Sequence, residues 1–205
     1  MKAQDWNKAK AHLRTVCPTM RRIIDNHPEG KLTARPDGFY TLLRAIVGQQ
    51  ISVKAADSIW KRLEAKVKPL SPEKLAKTRI STLHSIGLSE QKAHYAKNVA
   101  AFYLKHPRHA DGWSEHEDDA IIKQLTEIKG IGRWTAEMFL MFHTVRPDVL
   151  PLGDLGLLKA IDLHYPTKRP RKKAHYEQVA EAWKPYRTVA TWYLWRSLDP
   201  VPVAY

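Results

Sequence analysis

Cysteine is almost absent from this chain: Cys17 is the only one among 205 residues. A single thiol excludes an intramolecular disulfide, a cysteine zinc site and a four-cysteine iron–sulfur cluster, and it reads as a buried, inert side chain. The ten histidines are scattered. His106 and His109 lie beside a proline with no second pair of ligands to match, so no side-chain metal site is expected. Long apolar runs are missing too. No stretch is long enough to span a bilayer and no signal-peptide h-region follows Met1-Lys2, so a soluble, intracellular, non-membrane protein is expected, cytoplasmic or, in a eukaryote, nuclear. Alternating strand patterns are scarce, and what remains is helical periodicity, so the expected fold class is all-α. Acidic residues are in short supply: 21 Asp and Glu stand against 34 Lys and Arg, a formal net charge of +13. That imbalance points to a polyanionic partner, nucleic acid first, and says nothing about the fold.

No repeat array, low-complexity tract or flexible linker interrupts the chain, whose length suits one domain or two small lobes. Residues 5–16 and 18–26 read as short helices, followed by a turn-rich segment up to Asp37. Asp37 caps a helix carrying Phe39, Leu42, Leu43, Ile46 and Val47 on one face. A polar loop, Gly48-Gln49-Gln50-Ile51, leads to Ser52, the cap of a helix over 53–67. Ser71-Pro72-Glu73 opens a brief helix toward Lys77, and a further turn leads to Ile86-Gly87-Leu88. Ser89 caps a long helix to about His106, with Ala93, Ala96, Ala100 and Leu104 on its core face. In the loop from Pro107 to Ser114, Trp113 is either exposed or folded inward. Thr167 to Lys173 forms a basic loop before a helix over 174–183, and Pro185 opens the last helix, which carries Thr188, Trp192, Trp195 and Arg196.

The chain is organised around Leu125 to Lys159. Lys129-Gly130-Ile131-Gly132 separates two helical patterns, 120–128 and 133–143, and its glycines permit the positive φ of a tight reversal. The second helix therefore starts at the hairpin, where its amides and dipole make a cradle for phosphate. Beyond Pro147, Asp148 and Pro151, Gly153-Asp154 precedes a helix marked by Leu155, Leu157, Leu158 and Ile161. Each feature also has an ordinary reading, as a helix-pair turn and as an N-cap. In the chemical reading, amides and dipole stabilise a negative charge on Asp154, which suits the oxocarbenium-like transition state of glycosidic cleavage.

Leu125, Ile128, Gly130-Ile131-Gly132 and Thr135-Ala136, followed by Pro151 and Asp154, resemble the helix-hairpin-helix, Gly/Pro-rich, aspartate-containing DNA glycosylase superfamily. Arg133-Trp134-Thr135-Ala136, Asp148-Val149-Leu150-Pro151 and Gly153-Asp154 are most similar to its 3-methyladenine DNA glycosylase II branch. The spacing of 20 residues from Trp134 to Asp154 is more specific than either motif. Arg44 to Ser52 resembles the loop that enters the minor groove and fills the gap left by an extruded nucleotide. Trp183-Lys184-Pro185-Tyr186-Arg187 resembles the C-terminal segment. The longer bacterial enzymes' amino-terminal β-domain has no counterpart.

The resemblance implies two helical lobes with a central cleft, a middle lobe of about 37–145 and a second built from the N- and C-terminal segments. It implies a monomer acting on double-stranded DNA that contains damaged bases, with Asp154 as the catalytic carboxylate, either general base or electrostatic stabiliser. Asp148 precedes the proline turn and does not match the family's aspartate. Bifunctional relatives carry a Schiff-base lysine where this chain has Trp134, so a monofunctional enzyme of base excision repair is implied, one that leaves an abasic site without cleaving the strand. The implied pocket residues are Trp134, Met138, Trp192 and Trp195, with Trp192 equally open to a structural role; Met138 stands where the long bacterial form has a tyrosine. The implied DNA contacts are Lys129, Gly130, Ile131, Gly132, Arg133 and Thr135 at the hairpin, and Gln49, Gln50, Ile51 and Ser52 in the loop. Gln50 or Ile51 would occupy the vacated stack, or Ile51 packs inward. No cofactor is expected, apart from a monovalent cation that the backbone carbonyls of Lys129 and Ile131 could hold.

An alkylated purine suits this site. Methylation at N3 or N7 makes the base a cationic, good leaving group, so one carboxylate suffices without a paired acid, and an aromatic face attracts the cation by about 0.5–2 kcal/mol. Extrusion costs a few kcal/mol, less for a weak pair. Two alternatives stay open at this point, a glycosylase for oxidised or deaminated bases and a non-catalytic DNA-binding module. The basic run from Lys168 to Lys173 is equally a solvated loop or a phosphate contact, and Trp6, Trp60 and Trp183 read as structural.

Overall fold

In the computed structural model, residues 3–106, 112–168 and 172–198 are described, and among them every regular element is helical. The chain divides into two compact units, one within Arg35–Phe139 and the other formed by Met1–Ala34 with Leu140–Val203. None of the described helices is long and apolar enough to cross a membrane.

The unit within Arg35–Phe139 contains α3 (Gly38–Gly48), α4 (Val53–Lys66), α5 (Pro72–Lys77), α6 (Ile80–Ser85), α7 (Glu90–Lys105), α8 (Asp118–Thr126) and the first part of α9 (Arg133–Phe142). Side chains named by the sequence start four of these helices. Asp37 accepts from the amide of Tyr40, Ser52 from Ala55, Ser71 from Lys74 and Ser89 from Lys92. Each bond satisfies an amide that has no partner within its helix. α7 is the central helix and packs on α3, α5 and α6. Its buried face carries Ala93, Ala96, Val99 and Ala100, small side chains that admit close neighbours.

The second unit contains α1 (Ala3–Val16), α2 (Pro18–Asn26), α10 (Leu155–His164), α11 (Lys173–Glu181) and α12 (Arg187–Leu198). Its centre is α12, which packs on α1, α2 and α10 and buries seven of its residues from Thr188 to Trp195. A helix buried on nearly every side needs no amphipathic stripe, which is why its sequence pattern is weak. Its Tyr193 and the preceding Trp183 are fully buried. Cys17 is buried, its sulfur 3.2 Å from the Tyr165 hydroxyl.

Several sequence expectations need correction. Leu104 is 43% exposed, because the buried face of α7 turns through Tyr103 instead. Leu155, assigned to the apolar face of its helix, is 81% exposed; it occupies the first position after the Asp154 cap, before the face that carries Leu157 and Ile161 begins. The turn expected before Ile86 contains α6. Trp113 starts a 3-10 turn and folds inward at 2% exposure, against Phe102 and Phe139. The remainder of the Pro107–Ser114 loop and the centre of the Lys168–Lys173 run lie partly outside the described residues.

Val145, just past α9, has φ +54. A β-branched residue adopts this left-handed conformation at a cost of roughly 1–2 kcal/mol. The Arg146 amide and the Thr144 hydroxyl hold the turn, both donating to the Leu140 carbonyl at 2.9 Å. Val145→Gly is expected to raise stability by about 0.5 kcal/mol in chemical denaturation, after glycine's own entropic cost. A loss of stability would show that the turn relaxes the valine.

His27 and His164 share a basic corner of the second unit with Arg22 and Arg196. Burial lowers both imidazole pKa values, helped by Arg196 at His27 and by Arg22 and His27 at His164. The folded chain thus resists protonating them. Their stabilising contribution is full above the ordinary value of 6.5 and is lost as pH falls through it toward the folded values. Denaturation midpoints measured from pH 7.5 to 5 should fall more steeply for the wild type than for a His27→Gln/His164→Gln double variant. Equal slopes would remove these two groups from the acid response.

Candidate active site

Pro151, Leu152 and Gly153 form a turn closed by the Asp154 amide, which donates to the Pro151 carbonyl at 2.9 Å. Asp154 then caps α10. Its Oδ1 accepts from the Leu157 amide at 2.7 Å and from the indole Nε1 of Trp195 at 2.8 Å. The residue is 4% exposed. Burying a carboxylate costs several kcal/mol unless donors replace water, and capping alone would supply only the amide. The second donor, from another helix, fixes the direction of the carboxylate as well. Trp195 is held by a parallel stack on Phe142, with 6.3 Å between centroids and 4° between planes. Space there is tight: a Cβ on Gly156 would lie 3.1 Å from Asp154 Oδ1 and 3.4 Å from Trp195 Cδ1.

The segment leading to Asp154 is fastened to the same helix. Arg187, at the start of α12, donates through Nε to Asp148 Oδ1 and through its terminal nitrogen to Oδ2, both at 2.8 Å. The fully buried Thr188 donates its hydroxyl to the Arg146 carbonyl at 2.7 Å, accepts from the Val149 amide at 3.0 Å, and sends its own amide to Pro147. Asp148, the competing acid, is therefore engaged as Arg187's partner. The sequence places Thr188 on this helix and Arg187 in a family-like segment, and gives neither a task. The signal the sequence offers is an arginine and a threonine side by side at a helix start, after Pro185.

In the other unit, Gly130 has φ +107, and a Cβ there would lie 2.2 Å from Tyr95 Cγ. Only glycine fits this reversal. Gly132, by contrast, has nothing within 4 Å of an added Cβ. As the residue before α9 it has no side chain with which to cap the helix, so its surroundings leave room for another molecule to approach the N-terminus. Lys129 and Arg133 are exposed, with Arg133 paired to the buried Glu137 at 2.9 Å. Ile131 and Thr135 are 4% and 3% exposed, so their side chains serve packing rather than contact with a partner.

The loop between α3 and α4 is tied to this hairpin, since Gln49 Nε2 donates to the Gly130 carbonyl at 3.3 Å. Gln50 has φ +56, an uncommon conformation for a residue other than glycine, and is exposed. Ile51 is also exposed, at 37%, and Ser52 is the α4 cap. Among the expected pocket residues, Trp195 joins Asp154, whereas Trp192 packs edge-on against Trp6 at 5.4 Å and lies against Gly30. Trp134 is half-buried at the start of α9, and Met138 is 2% exposed within the first unit.

The model of the HhH-GPD superfamily of base excision DNA repair proteins matches residues 43–185. The DNA-3-methyladenine glycosylase 1 of Schizosaccharomyces pombe is 30% identical over 93% of this chain and 86% of its own. A structure of the S. pombe 3-methyladenine DNA glycosylase in complex with abasic DNA superposes with a TM-score of 0.82 at 28% identity, covering 97% of this chain and all of that one. A DNA-3-methyladenine glycosidase structure from Bacillus halodurans gives 0.75 at 34% identity, over 91% and 88% of the two chains.

The two hairpin glycines should respond differently to alanine. Gly130→Ala is expected to cost at least about 2 kcal/mol of stability, from the left-handed backbone and the clash with Tyr95. Gly132→Ala should cost less than about 1 kcal/mol. Equal losses in urea denaturation would contradict this geometry.

Proposed function

The chain belongs to the HhH-GPD superfamily of base excision DNA repair proteins, and from that premise we propose that it excises alkylated bases of the 3-methyladenine and 7-methylguanine type from duplex DNA. It hydrolyses the N-glycosidic bond of an extruded nucleotide and leaves an abasic site. The observation that carries this reading is Asp154, a buried carboxylate held by two donors that converge on Oδ1. A pure DNA-binding module has no need to bury an acid and fix its direction with an indole from a separate helix.

The substrate supplies the rest of the chemistry. A base methylated at N3 or N7 leaves as a neutral species, so its departure needs no general acid, and positive charge accumulates on the sugar as the bond breaks. Asp154 stabilises that charge electrostatically or directs water onto it. Trp195 prevents the carboxylate from rotating away. With Trp134 in place of the lysine that would attack the sugar, no Schiff base forms and the strand stays intact. The hairpin and the Gln49–Ser52 loop bind the duplex, the first through phosphate and the second at the gap left by the flipped nucleotide.

A monovalent cation at the hairpin belongs to the same proposal. Carbonyl oxygens suit such an ion, and the Lys129 carbonyl, which accepts from Asn98 Nδ2 at 3.0 Å, retains a second lone pair. Bound there, the ion would add positive charge toward a DNA phosphate.

Incubation with methylated duplex should release free 3-methyladenine and 7-methylguanine, and strand breaks should appear only after alkali. Asp154→Asn should slow release by on the order of 10²–10³-fold, and Trp195→Phe, which keeps an aromatic ring but is smaller and lacks the N–H, by about tenfold. Unchanged release by Asp154→Asn would remove it from the chemistry. Release from oxidised or deaminated duplexes alone would redirect the substrate class.

A further inference from the structure

Lys92 lies in the first turn of α7, and its ammonium donates to the Val47 carbonyl at 2.9 Å and to the Gln49 carbonyl at 2.6 Å. Were α3 to continue, those carbonyls would accept the amides of Ile51 and Val53. Instead α3 stops at Gly48, and a single ammonium substitutes for both amides. Its charge also meets the negative end of the α3 dipole. Freed from helical pairing, the chain turns through Gln50 in the left-handed region. Burial lowers the pKa of the Lys92 ammonium.

The adjoining side of α7 serves the hairpin. Six residues beyond Lys92, Asn98 donates to the Lys129 carbonyl at 3.0 Å, and Tyr95 between them packs under Gly130. Gln49 links the two loops through its bond to the Gly130 carbonyl. Every one of these contacts is made to backbone, so they fix the path of each loop and leave its exposed side chains available.

We infer that Lys92 is a positioning residue that holds the Gln49–Ser52 loop in the form that fills a vacated base stack, and that with Asn98 it joins loop and hairpin into one preorganised grip. The inference rests on the reading of the chain as a base-extruding glycosylase. Preorganisation of this kind acts on the complex that needs the loop inserted, and little on general attraction to a duplex, which is set by surface charge.

The test compares affinity for a duplex containing a tetrahydrofuran abasic analogue with affinity for the intact duplex, using full-length protein. Lys92→Met should lower abasic-duplex affinity about tenfold while leaving intact-duplex affinity within about twofold. Lys92→Arg, which retains charge and donors, should restore most of the difference, and 2-aminopurine beside the lesion should report reduced unstacking for the methionine variant only. Lys92→Gln, which keeps one donor arm, carries the same comparison if the methionine variant does not fold. An unchanged affinity ratio, an equal fall on both duplexes, or a wild type without preference for the abasic duplex would overturn the inference. A wild type that prefers the abasic duplex yet releases no methylated base would overturn the proposed reaction and leave the Lys92 result standing.

Discussion

A carboxylate withdrawn from water must be given donors, and the manner in which Asp154 receives them orders the second unit. The Leu157 amide comes with the helix that Asp154 caps, and so follows from local sequence. The Trp195 indole comes from α12 and requires that helix to lie across the start of α10. The same helix pins the approach to the acid through Arg187 and Thr188, so one rigid element sets both the course of residues 146–149 and the direction of the carboxylate. Burial of α12 on nearly every side supplies that rigidity, since a close-packed helix cannot shift without disturbing its neighbours.

The unit within Arg35–Phe139 solves a different problem, that of presenting two short loops whose backbones depart from regular structure. Gly130 meets it by composition, because only glycine fits against Tyr95 at that φ. Gln50 meets it by support: a non-glycine residue stays left-handed when the carbonyls before it are held elsewhere. Val145, in the second unit, is a further instance, its turn fastened to the Leu140 carbonyl from two sides. At Gly130 and Gln50 the irregular backbone adjoins residues proposed for DNA contact, where regular helix would place the groups wrongly.

Much of this was legible in the chain itself. The caps Asp37, Ser52, Ser71, Ser89 and Asp154 all accept the bonds their positions suggested, because capping is decided within four residues. The all-α class followed from periodicity, and the family from the Gly130-Ile131-Gly132 hairpin with Asp154 at its spacing. Leu104 and Leu155 were misplaced because an apolar residue near a helix end satisfies the periodic pattern without reaching the core. The short helix over Ile80–Ser85 escaped notice because Arg79, which precedes it, makes no side-chain cap.

The sequence determined, by itself, the features that depend on residues close along the chain: helix starts, the glycine reversal and the excess of positive charge. Tertiary structure alone decided which partners those features meet. That Trp195 donates to Asp154, that Arg187 occupies Asp148, and that Lys92 holds the end of α3 are contacts between residues about 40 positions apart. Contacts of that range follow from how helices pack, and neither periodicity nor capping specifies which polar groups packing will bring together.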